Sequence, residues 1–268
     1  MRRTVEKYTG IAKTAAAVLA AALIGGMANL SAARADDAQA KSLFKAMSDY
    51  MAGQKAIAIE YDSYLEVVTK QKQKLGLASS GTVVLNRPDK IRATRTGGFA
   101  DVELGFDGKT LTLLRKDTSQ YAQVEAPGTI DHLIDELRDK YHRPVPAADL
   151  LMSDPYNQLM PLVVDVKDLG SGVIRGVECD HLAFRTKEVD WQIWIAQGDR
   201  PYPCRYVITT TNIAGQPQYT IDVRTWKAGA EVASDTFSPA ISDAKKLNPS
   251  DLPDFDELSG AFAVKGAK

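Results

Sequence analysis

The chain has 268 residues, of which 44% are hydrophobic and 25% charged, and its formal net charge is −1. This composition is typical of a folded globular protein and excludes an intrinsically disordered chain. Lysine and arginine are scattered along the sequence, so it lacks the clustered basic residues of a nucleic-acid-binding protein. We therefore expect no nucleic-acid partner.

The first 35 residues have the three parts of a secretory signal peptide. A basic leader with Arg2 and Arg3 precedes an alanine-rich apolar run over residues 14–30, and Ala33-Arg34-Ala35 is a small-x-small cleavage site. The alternative is an anchoring helix, but a stable span needs roughly 20 strongly apolar residues. No cysteine for a lipid anchor lies near the cut. We predict a signal peptide over residues 1–35, cleavage after Ala35, and a periplasmic protein without a membrane anchor.

The periodicity of apolar residues predicts the elements that follow. Helical spacing predicts an amphipathic helix over residues 36–53, with Gly53 as its stop. A helical insertion begins at Thr129, which is a typical N-cap. Alternating residues separated by turn residues predict strands before and after this insertion. The predicted strands cover residues 56–70, 77–85, 90–96, 100–106, 110–116, 120–126, 162–169, 173–187, 190–197, 204–212 and 218–227.

These elements predict a mainly β fold with a few helices. An antiparallel sheet with one apolar face must close, fold over or pack helices against that face. The helices are few and strongly apolar on one side, so we predict a curved antiparallel sheet, an incomplete barrel of about eleven strands with a helical lid, over residues 36–234. The polar tail, residues 235–268, contains three prolines and is expected to be largely irregular.

Patterns that would indicate catalysis or metal binding are weak. No nucleophile, base and oxyanion donors cluster in the sequence. His132, His142 and His181 have no ligand partners at metal-binding spacing, and the simplest role of His181 is a cross-strand hydrogen bond. We therefore predict that the protein is not an enzyme and holds no metal or cofactor.

Cys179 and Cys204 form a possible disulfide, and two arguments about it oppose each other. An oxidising compartment favours pairing of an even number of cysteines. The predicted register places Cys179 near Gln197 and Cys204 near Ala196, two strand spacings apart, about 9–10 Å, which exceeds the roughly 7 Å limit between bridged Cα atoms. A bulge at Gly198 would close the gap. Both alternatives remain open.

Four segments carry a resemblance to a known family: residues 86–92 (Asn-Arg-Pro-Asp-Lys-Ile-Arg), residues 106–113 (Phe-Asp-Gly-Lys-Thr-Leu-Thr-Leu), residues 180–185 (Asp-His-Leu-Ala-Phe-Arg) and residues 190–195 (Asp-Trp-Gln-Ile-Trp-Ile). The sequence resembles an uncharacterised family of predicted periplasmic proteins, a domain of unknown function related to the LolA/LolB-type lipoprotein carriers. The resemblance spans residues 38–226.

The resemblance implies a LolA-like incomplete barrel whose apolar cavity receives acyl chains beneath a helical lid. Such carriers latch the lid with an arginine, for which Arg92 or Arg95 is the nearest match. The lid would contain Leu133, Ile134, Leu137, Leu151 and Met152. With strand alternation, the candidate cavity residues are Ile59, Tyr61, Leu65, Val84, Val102, Leu104, Phe106, Leu111, Leu113, Trp191, Ile193 and Ile195. The same residues would also be apolar in a filled core without a cavity.

Two functions follow as expectations. The first is a periplasmic binding or carrier protein that holds an apolar small molecule, a lipid or a lipoprotein acyl chain. The alternative is a non-catalytic envelope-stress sensor or regulatory protein that binds another envelope protein through the same fold, because a fold does not determine a function.

Overall fold

The computed structural model describes residues 25–98, 100–141, 145–229 and 237–249, with side chains from Asp37 onward. Most of the predicted signal peptide, residues 1–24, lies outside the described residues, so its cleavage stays a prediction. In the part of the chain that is described, no helix is long and apolar enough to cross a membrane.

The first helix, α1, covers Gly25–Ala52. Its end agrees with the predicted stop, since the Gly53 amide donates to the Asp49 carbonyl at 3.1 Å. It begins earlier than the predicted start at Asp36 because the preceding residues are rich in alanine, the strongest helix former. Phe44, Met47 and Met51 are fully buried, so the amphipathic pattern identified the face that packs against the sheet.

The eleven predicted strands are all present, and a twelfth lies in the tail. The strands are β1 (Ala56–Val68), β2 (Lys74–Asn86), β3 (Lys90–Gly97), β4 (Asp101–Phe106), β5 (Thr110–Arg115), β6 (Gln120–Glu125), β7 (Asp165–Ile174), β8 (Val177–Arg185), β9 (Val189–Ala196), β10 (Pro203–Thr210), β11 (Gln218–Ala228) and β12 (Lys245–Lys246).

The turn between β7 and β8 differs from the prediction, which divided these strands at residues 170–172. The chain instead turns at Arg175 and Gly176, whose φ angles of 53° and 84° suit a two-residue hairpin. Gly170, with φ of 81°, lies within β7, where the register shifts between Asp168 and Ser171. The glycine there marks a β-bulge, which sequence alone does not distinguish from a turn.

The strands of the described residues form one sheet in the order β12-β6-β5-β4-β3-β2-β1-β11-β10-β9-β8-β7. Pairing is antiparallel throughout, except that β12 runs parallel to β6. Because β7 and β12 are not paired with each other, the sheet is an open, incomplete barrel, as predicted. We call the face that carries Ile57 and Ile59 the inner face and the opposite face the outer face.

Helices cover the inner face in two places. The helix α1 packs on β7, β8 and β9. The lid, which we define as residues 130–141 and 145–152, covers the half formed by β1 to β6. It contains α2 (Ile130–Asp135), a π-helical turn (Glu136–Lys140) and a 3₁₀ helix (Ala148–Leu151). A third helix, α3 (Pro155–Leu159), and a 3₁₀ turn (Met160–Leu162) lead from the lid to β7.

The described part of the tail, residues 237–249, crosses the outer face. Phe237 is fully buried, and a Cβ added to Gly105 would lie 2.3 Å from the Phe237 carbonyl oxygen and 2.4 Å from Pro239 Cδ. Beyond this crossing, β12 pairs with β6. The sequence pattern indicated neither the buried phenylalanine nor the short strand, because both depend on a surface that exists only after the sheet has formed.

Candidate functional site

The register of β1 to β4 builds one wall of the site from four adjacent side chains. Ile59 lies opposite Val83, Val83 opposite Ala93, and Ala93 opposite Leu104. Directly opposed residues share a face of the sheet, so this row is continuous on the inner face. All four are apolar, and Ala93 leaves space beside the larger residues.

The first lid segment is held over this wall by its own cap and by one backbone bond. The Thr129 hydroxyl accepts from the His132 amide at 3.2 Å, which confirms Thr129 as the N-cap. The Ile130 amide donates to the Pro88 carbonyl at 2.9 Å, which ties α2 to the turn between β2 and β3. Leu133 and Leu137 then face inward and are buried.

Asp131 of the first lid segment binds Ser153, which directly follows the second lid segment. Its carboxylate accepts from the Ser153 amide at 2.9 Å and from the Ser153 hydroxyl. Arg87, from the β2–β3 turn, donates to the Met152 carbonyl at 3.2 Å. Burial lowers the pKa of Arg87, and the nearby Asp131 opposes this shift. The same turn therefore holds both lid segments.

The resemblance pointed to Arg92 or Arg95 as the arginine that latches the lid, whereas the arginine described in a hydrogen bond to the lid is Arg87. Arg92 lies on the outer face, where its Nε donates to the buried Glu103 at 2.7 Å, so it does not contact the lid. Arg95 lies on the inner face and lines the cavity. Arg87 belongs to the same Asn-Arg-Pro-Asp segment that carried the resemblance, but sequence cannot show which carbonyl a turn arginine reaches.

A cavity of about 210 Å³ lies between the inner face and the lid. Sheet and lid contribute almost entirely apolar side chains to it. Its wall contains Met51, Ile59, Tyr61, Val83, Ile91, Ala93, Thr94, Arg95, Val102, Leu104, Ile130, Leu133, Ile134, Leu137, Val145, Pro146, Ala147, Ala148, Leu150, Leu151, Pro203, Arg205, Tyr206, Tyr219, Ile221 and Val223. For comparison, an apolar cavity of about 150 Å³ is large enough to bind benzene.

The structure brings part of the predicted set together at this cavity. The residues that line it are Ile59, Tyr61, Val102 and Leu104 from the sheet and Leu133, Ile134, Leu137 and Leu151 from the lid. Their role in binding a ligand stays a prediction.

Several predicted cavity residues lie elsewhere. Phe106 and Leu111 are buried in the core beside the cavity, as is Met152. Leu113 packs with Ala122 in a separate small cluster. Leu65 is half-buried towards the end of β1.

Val84 was assigned to the wrong face. It lies opposite Ala58, whereas Val83 lies opposite Ile59 and lines the cavity. A one-residue error in strand phase moves a side chain to the other face, and Val83 and Val84 are chemically identical.

Trp191, Ile193 and Ile195 belong to a different part of the core, beneath α1. The Trp191 ring stacks on Phe184 with centroids 3.9 Å apart and meets Phe44 at 5.3 Å. Alternation correctly placed these residues on the inner face. It could not show that an aromatic side chain of α1 fills the space in front of them.

Sequence reasoning missed the part of the wall that comes from β10 and β11. Tyr206, Tyr219, Ile221 and Val223 line the cavity because β11 pairs with β1, bringing the last long strand beside the first. Apolar alternation in β11 was a usable signal for their face. The pairing of β11 with β1 could not be predicted from the local sequence pattern.

The two cysteines are unbridged, buried and close together. Their thiols are within hydrogen-bond contact, and burial raises the pKa of both. Cys179 lies opposite Ala196 rather than Gln197, and the register shifts between Pro203 and Arg205, so Cys204 occupies a bulge. The β-bulge beside the cysteines therefore lies at Cys204, whereas the sequence had suggested one at Gly198.

The structure describes the surroundings of two of the three histidines, His181 and His132. His181 Nε2 lies 2.9 Å from Gln192 Oε1 across β8 and β9, which confirms the predicted cross-strand hydrogen bond. Its ring stacks on Trp194 at 3.9 Å, and burial lowers its pKa. His132 is 4.0 Å from Glu136, and His142 lies outside the described residues. Among the residues described, no group of three or more potential ligands could hold a metal ion.

Comparison with known proteins gives one family match. The family model described as "Predicted periplasmic protein (DUF2092)" matches residues 40–247. No curated protein matches the chain.

Solved structures with a similar arrangement are distant in sequence. The chain is similar to the lipoprotein LppX of Mycobacterium tuberculosis, with 15% identity, 74% of this chain and 100% of that chain covered, and a TM-score of 0.46. It is also similar to the Pseudomonas aeruginosa MucA/MucB complex, with 13% identity, coverage of 75% and 61%, and a TM-score of 0.43. For a LolA superfamily protein from Nitrosomonas europaea the identity is 10%, the coverage 75% and 97%, and the TM-score 0.35.

Proposed function

The chain belongs to the DUF2092 family of predicted periplasmic proteins, and we propose that it is a non-catalytic periplasmic binding or carrier protein. Its ligand would be an apolar molecule, such as a lipid or the acyl chain of a lipoprotein. The ligand would occupy the cavity between the inner face of the sheet and the lid.

The cavity itself carries this proposal. Protein interiors are normally packed as densely as organic crystals, and unfilled space next to large side chains forfeits dispersion contacts. About 210 Å³ bounded by aliphatic side chains is therefore costly to leave empty and poorly suited to ordered water. An acyl chain would restore the missing contacts without requiring hydrogen bonds from the wall.

The lid gives a physical route for exchange. Each lid segment is joined to the β2–β3 turn by a hydrogen bond, from the Ile130 amide to the Pro88 carbonyl in the first and from Arg87 to the Met152 carbonyl in the second. Breaking bonds of this kind costs about 1 kcal/mol each when water replaces the partner. Opening of the lid would expose the apolar wall and release the ligand.

Native mass spectrometry of the protein purified from the periplasm, before and after extraction with organic solvent, tests occupancy. We expect a mass excess that disappears on extraction and is recovered as lipid in the solvent. A clean apo mass, together with a stable protein partner in a pull-down from envelope extract, would instead support the regulatory alternative.

A cavity-filling variant tests the location. Ala93→Phe adds a ring to the wall where space is available, so the fold is retained while the ligand is displaced. We expect the affinity for a fluorescent acyl probe to fall at least about tenfold, equivalent to about 1.4 kcal/mol. Ala78→Phe, at an exposed position of β2, is the matched control. Equal probe affinity in the unmodified protein, Ala93→Phe and Ala78→Phe would contradict the proposed site.

A further inference from the structure

Most of the polar side chains in the cavity wall already have partners within the protein. The side chains of the described wall that carry a nitrogen or oxygen atom are Tyr61, Thr94, Arg95, Arg205, Tyr206 and Tyr219. The Tyr61 hydroxyl donates to the Thr94 carbonyl at 3.1 Å, and the Thr94 hydroxyl lies 2.8 Å from the hydroxyl of Thr82. Arg95 and Tyr219 each interact with another residue.

Tyr206 differs from the other polar side chains of the wall. Arg205, its neighbour on β10, donates from Nη2 to Asp222 at 3.0 Å. Tyr206 itself is only 7% exposed and lines the cavity, and its hydroxyl has no hydrogen bond to any residue that the structure describes. A buried hydroxyl without a partner costs free energy, because it has given up its hydrogen bonds to water. The unpaired hydroxyl therefore points to a partner that enters the cavity from outside.

The sheet places Tyr206 at the boundary between the cavity and the aromatic core beneath α1. It lies opposite Ile221 of β11, which lines the cavity, and opposite Ile193 of β9, which belongs to the core beneath α1. The Tyr206 ring also meets the Trp191 ring, with centroids 5.8 Å apart. This contact packs one side of the tyrosine ring, so the hydroxyl has a defined position at the end of the cavity.

The Tyr206 hydroxyl is neutral and keeps its proton at physiological pH. Burial raises the pKa of Tyr206 above its ordinary value of about 10, and the carboxylate of Asp149 on the lid raises it further. Asp149 is half-buried and lies 3.6 Å from Arg138. This end of the cavity therefore presents an O–H donor near a lid carboxylate, which favours a neutral acceptor over a second anion.

We propose that the Tyr206 hydroxyl donates a hydrogen bond to the neutral carbonyl oxygen of an acyl chain bound in the cavity. The ligand is then an acyl ester or an acyl amide, which share this carbonyl, and not a plain hydrocarbon or an ionised fatty acid. This inference rests on the proposed function, because it assigns the class of ligand to the same cavity.

Four ligands of matched length separate the contribution of the carbonyl from that of the hydrocarbon. Methyl laurate, N-methyl lauramide, laurate and tetradecane are titrated into the delipidated protein by displacement of a fluorescent acyl probe, and each titration is repeated with Tyr206→Phe. We expect the variant to bind the ester, the amide or both about five- to tenfold more weakly, with the affinity for tetradecane unchanged. A larger loss for methyl laurate indicates an ester ligand, and a larger loss for N-methyl lauramide an amide.

A matched variant and two further measurements separate a direct contact from a structural role. Tyr64→Phe changes an exposed tyrosine of β1 and should bind all four ligands as the unmodified protein does. The infrared carbonyl stretch of bound, carbon-13-labelled methyl laurate should lie at a lower wavenumber in the unmodified protein than in Tyr206→Phe. The Tm of ligand-free Tyr206→Phe should be unchanged or higher, because the substitution removes a hydroxyl without a partner.

The outcomes distinguish failure of this inference from failure of the proposed function. Equal affinity of each ligand for the unmodified protein and Tyr206→Phe would overturn the role of Tyr206 and leave the cavity proposal intact. An equal loss for all four ligands would also overturn it, since the tyrosine would then support the wall. Laurate that binds as tightly as methyl laurate would contradict the preference for a neutral group. If no ligand displaces the probe and Ala93→Phe has no effect, the proposed function itself fails.

Discussion

The two halves of the inner face have the same strand alternation but are covered differently. Beneath α1, Phe184 and Trp191 stack at 3.9 Å, and Phe44 from the helix closes over them at 5.3 Å from each ring. Beneath the lid, the corresponding wall carries Val83 and Ala93, and a cavity of about 210 Å³ remains. One half is a filled core, and the other contains a cavity.

Side-chain volume explains the difference. Aromatic side chains on both sheet and helix bring enough atoms to occupy the space between them at normal packing density. The lid contributes aliphatic and small residues, and the wall carries tyrosines only beside Val83, Ala93 and other aliphatic residues, so the combined volume does not fill the gap. An apolar inner face is therefore not sufficient to indicate a cavity, and the size of residues on the covering element must be considered.

Truncation in each half should have the largest and most distinct effects. Phe44→Ala removes a fully buried ring and is expected to reduce the free energy of unfolding by about 3–5 kcal/mol. Leu104→Ala, beside the existing cavity, is expected to cost about 2 kcal/mol and to alter acyl-probe affinity. Chemical denaturation measures the free energy of unfolding of both variants, and titration measures their affinity for the acyl probe. Similar costs in the two halves would show that the cavity half is equally well packed.

The outer face behind the filled half contains the cysteine pair. Because the thiols are in contact, we expect Cys179 and Cys204 to be joined in the oxidising periplasm, with reduction lowering stability by about 2–4 kcal/mol. Alkylation of the protein denatured without reductant should then give no labelling, and prior reduction should allow labelling of both thiols. The reduced native protein should react slowly, because burial raises both thiol pKa values. Full labelling without reductant would refute the bridge.

The outer face behind the cavity half carries the tail. Gly105→Ala places a Cβ against Phe237 and Pro239, so we expect a loss of about 1–3 kcal/mol and faster proteolysis of the tail. Gly98→Ala is the matched control, since a Cβ at that glycine meets nothing within 4 Å. If Gly105→Ala and Gly98→Ala have the same stability and the same rate of tail proteolysis, the contact across Gly105 does not hold the tail.

The attachment of the lid gives the smallest expected change in global stability. Arg87→Ala removes the donor to the Met152 carbonyl and is expected to cost about 1–2 kcal/mol. The effect should be local, with faster hydrogen exchange in the lid and unchanged exchange in α1. Arg185→Ala, which removes an exposed arginine paired with Asp190 away from the lid, is the control. Uniformly faster exchange in both regions would show that the lid does not open separately.

The parts of the site that were predictable share a local cause. Leu133, Ile134 and Leu137 follow the Thr129 cap at helical spacing, so their common face is determined within one short segment. Ile59 and Leu104 were found because alternation assigns each strand two faces. The choice between Val83 and Val84 failed because only pairing with β1 determines the phase of that strand.

By itself the sequence determined the order of the elements, the strand alternation, the helical faces and the family, because these depend on neighbouring residues. Only the tertiary structure decided which strands meet, that Tyr219 to Val223 join the wall through β1, and that the tail crosses Gly105. It also decided that Phe44 fills one half while the other stays open. The physical reason is that packing depends on the combined volume of side chains from distant segments, which a local sequence pattern does not reveal.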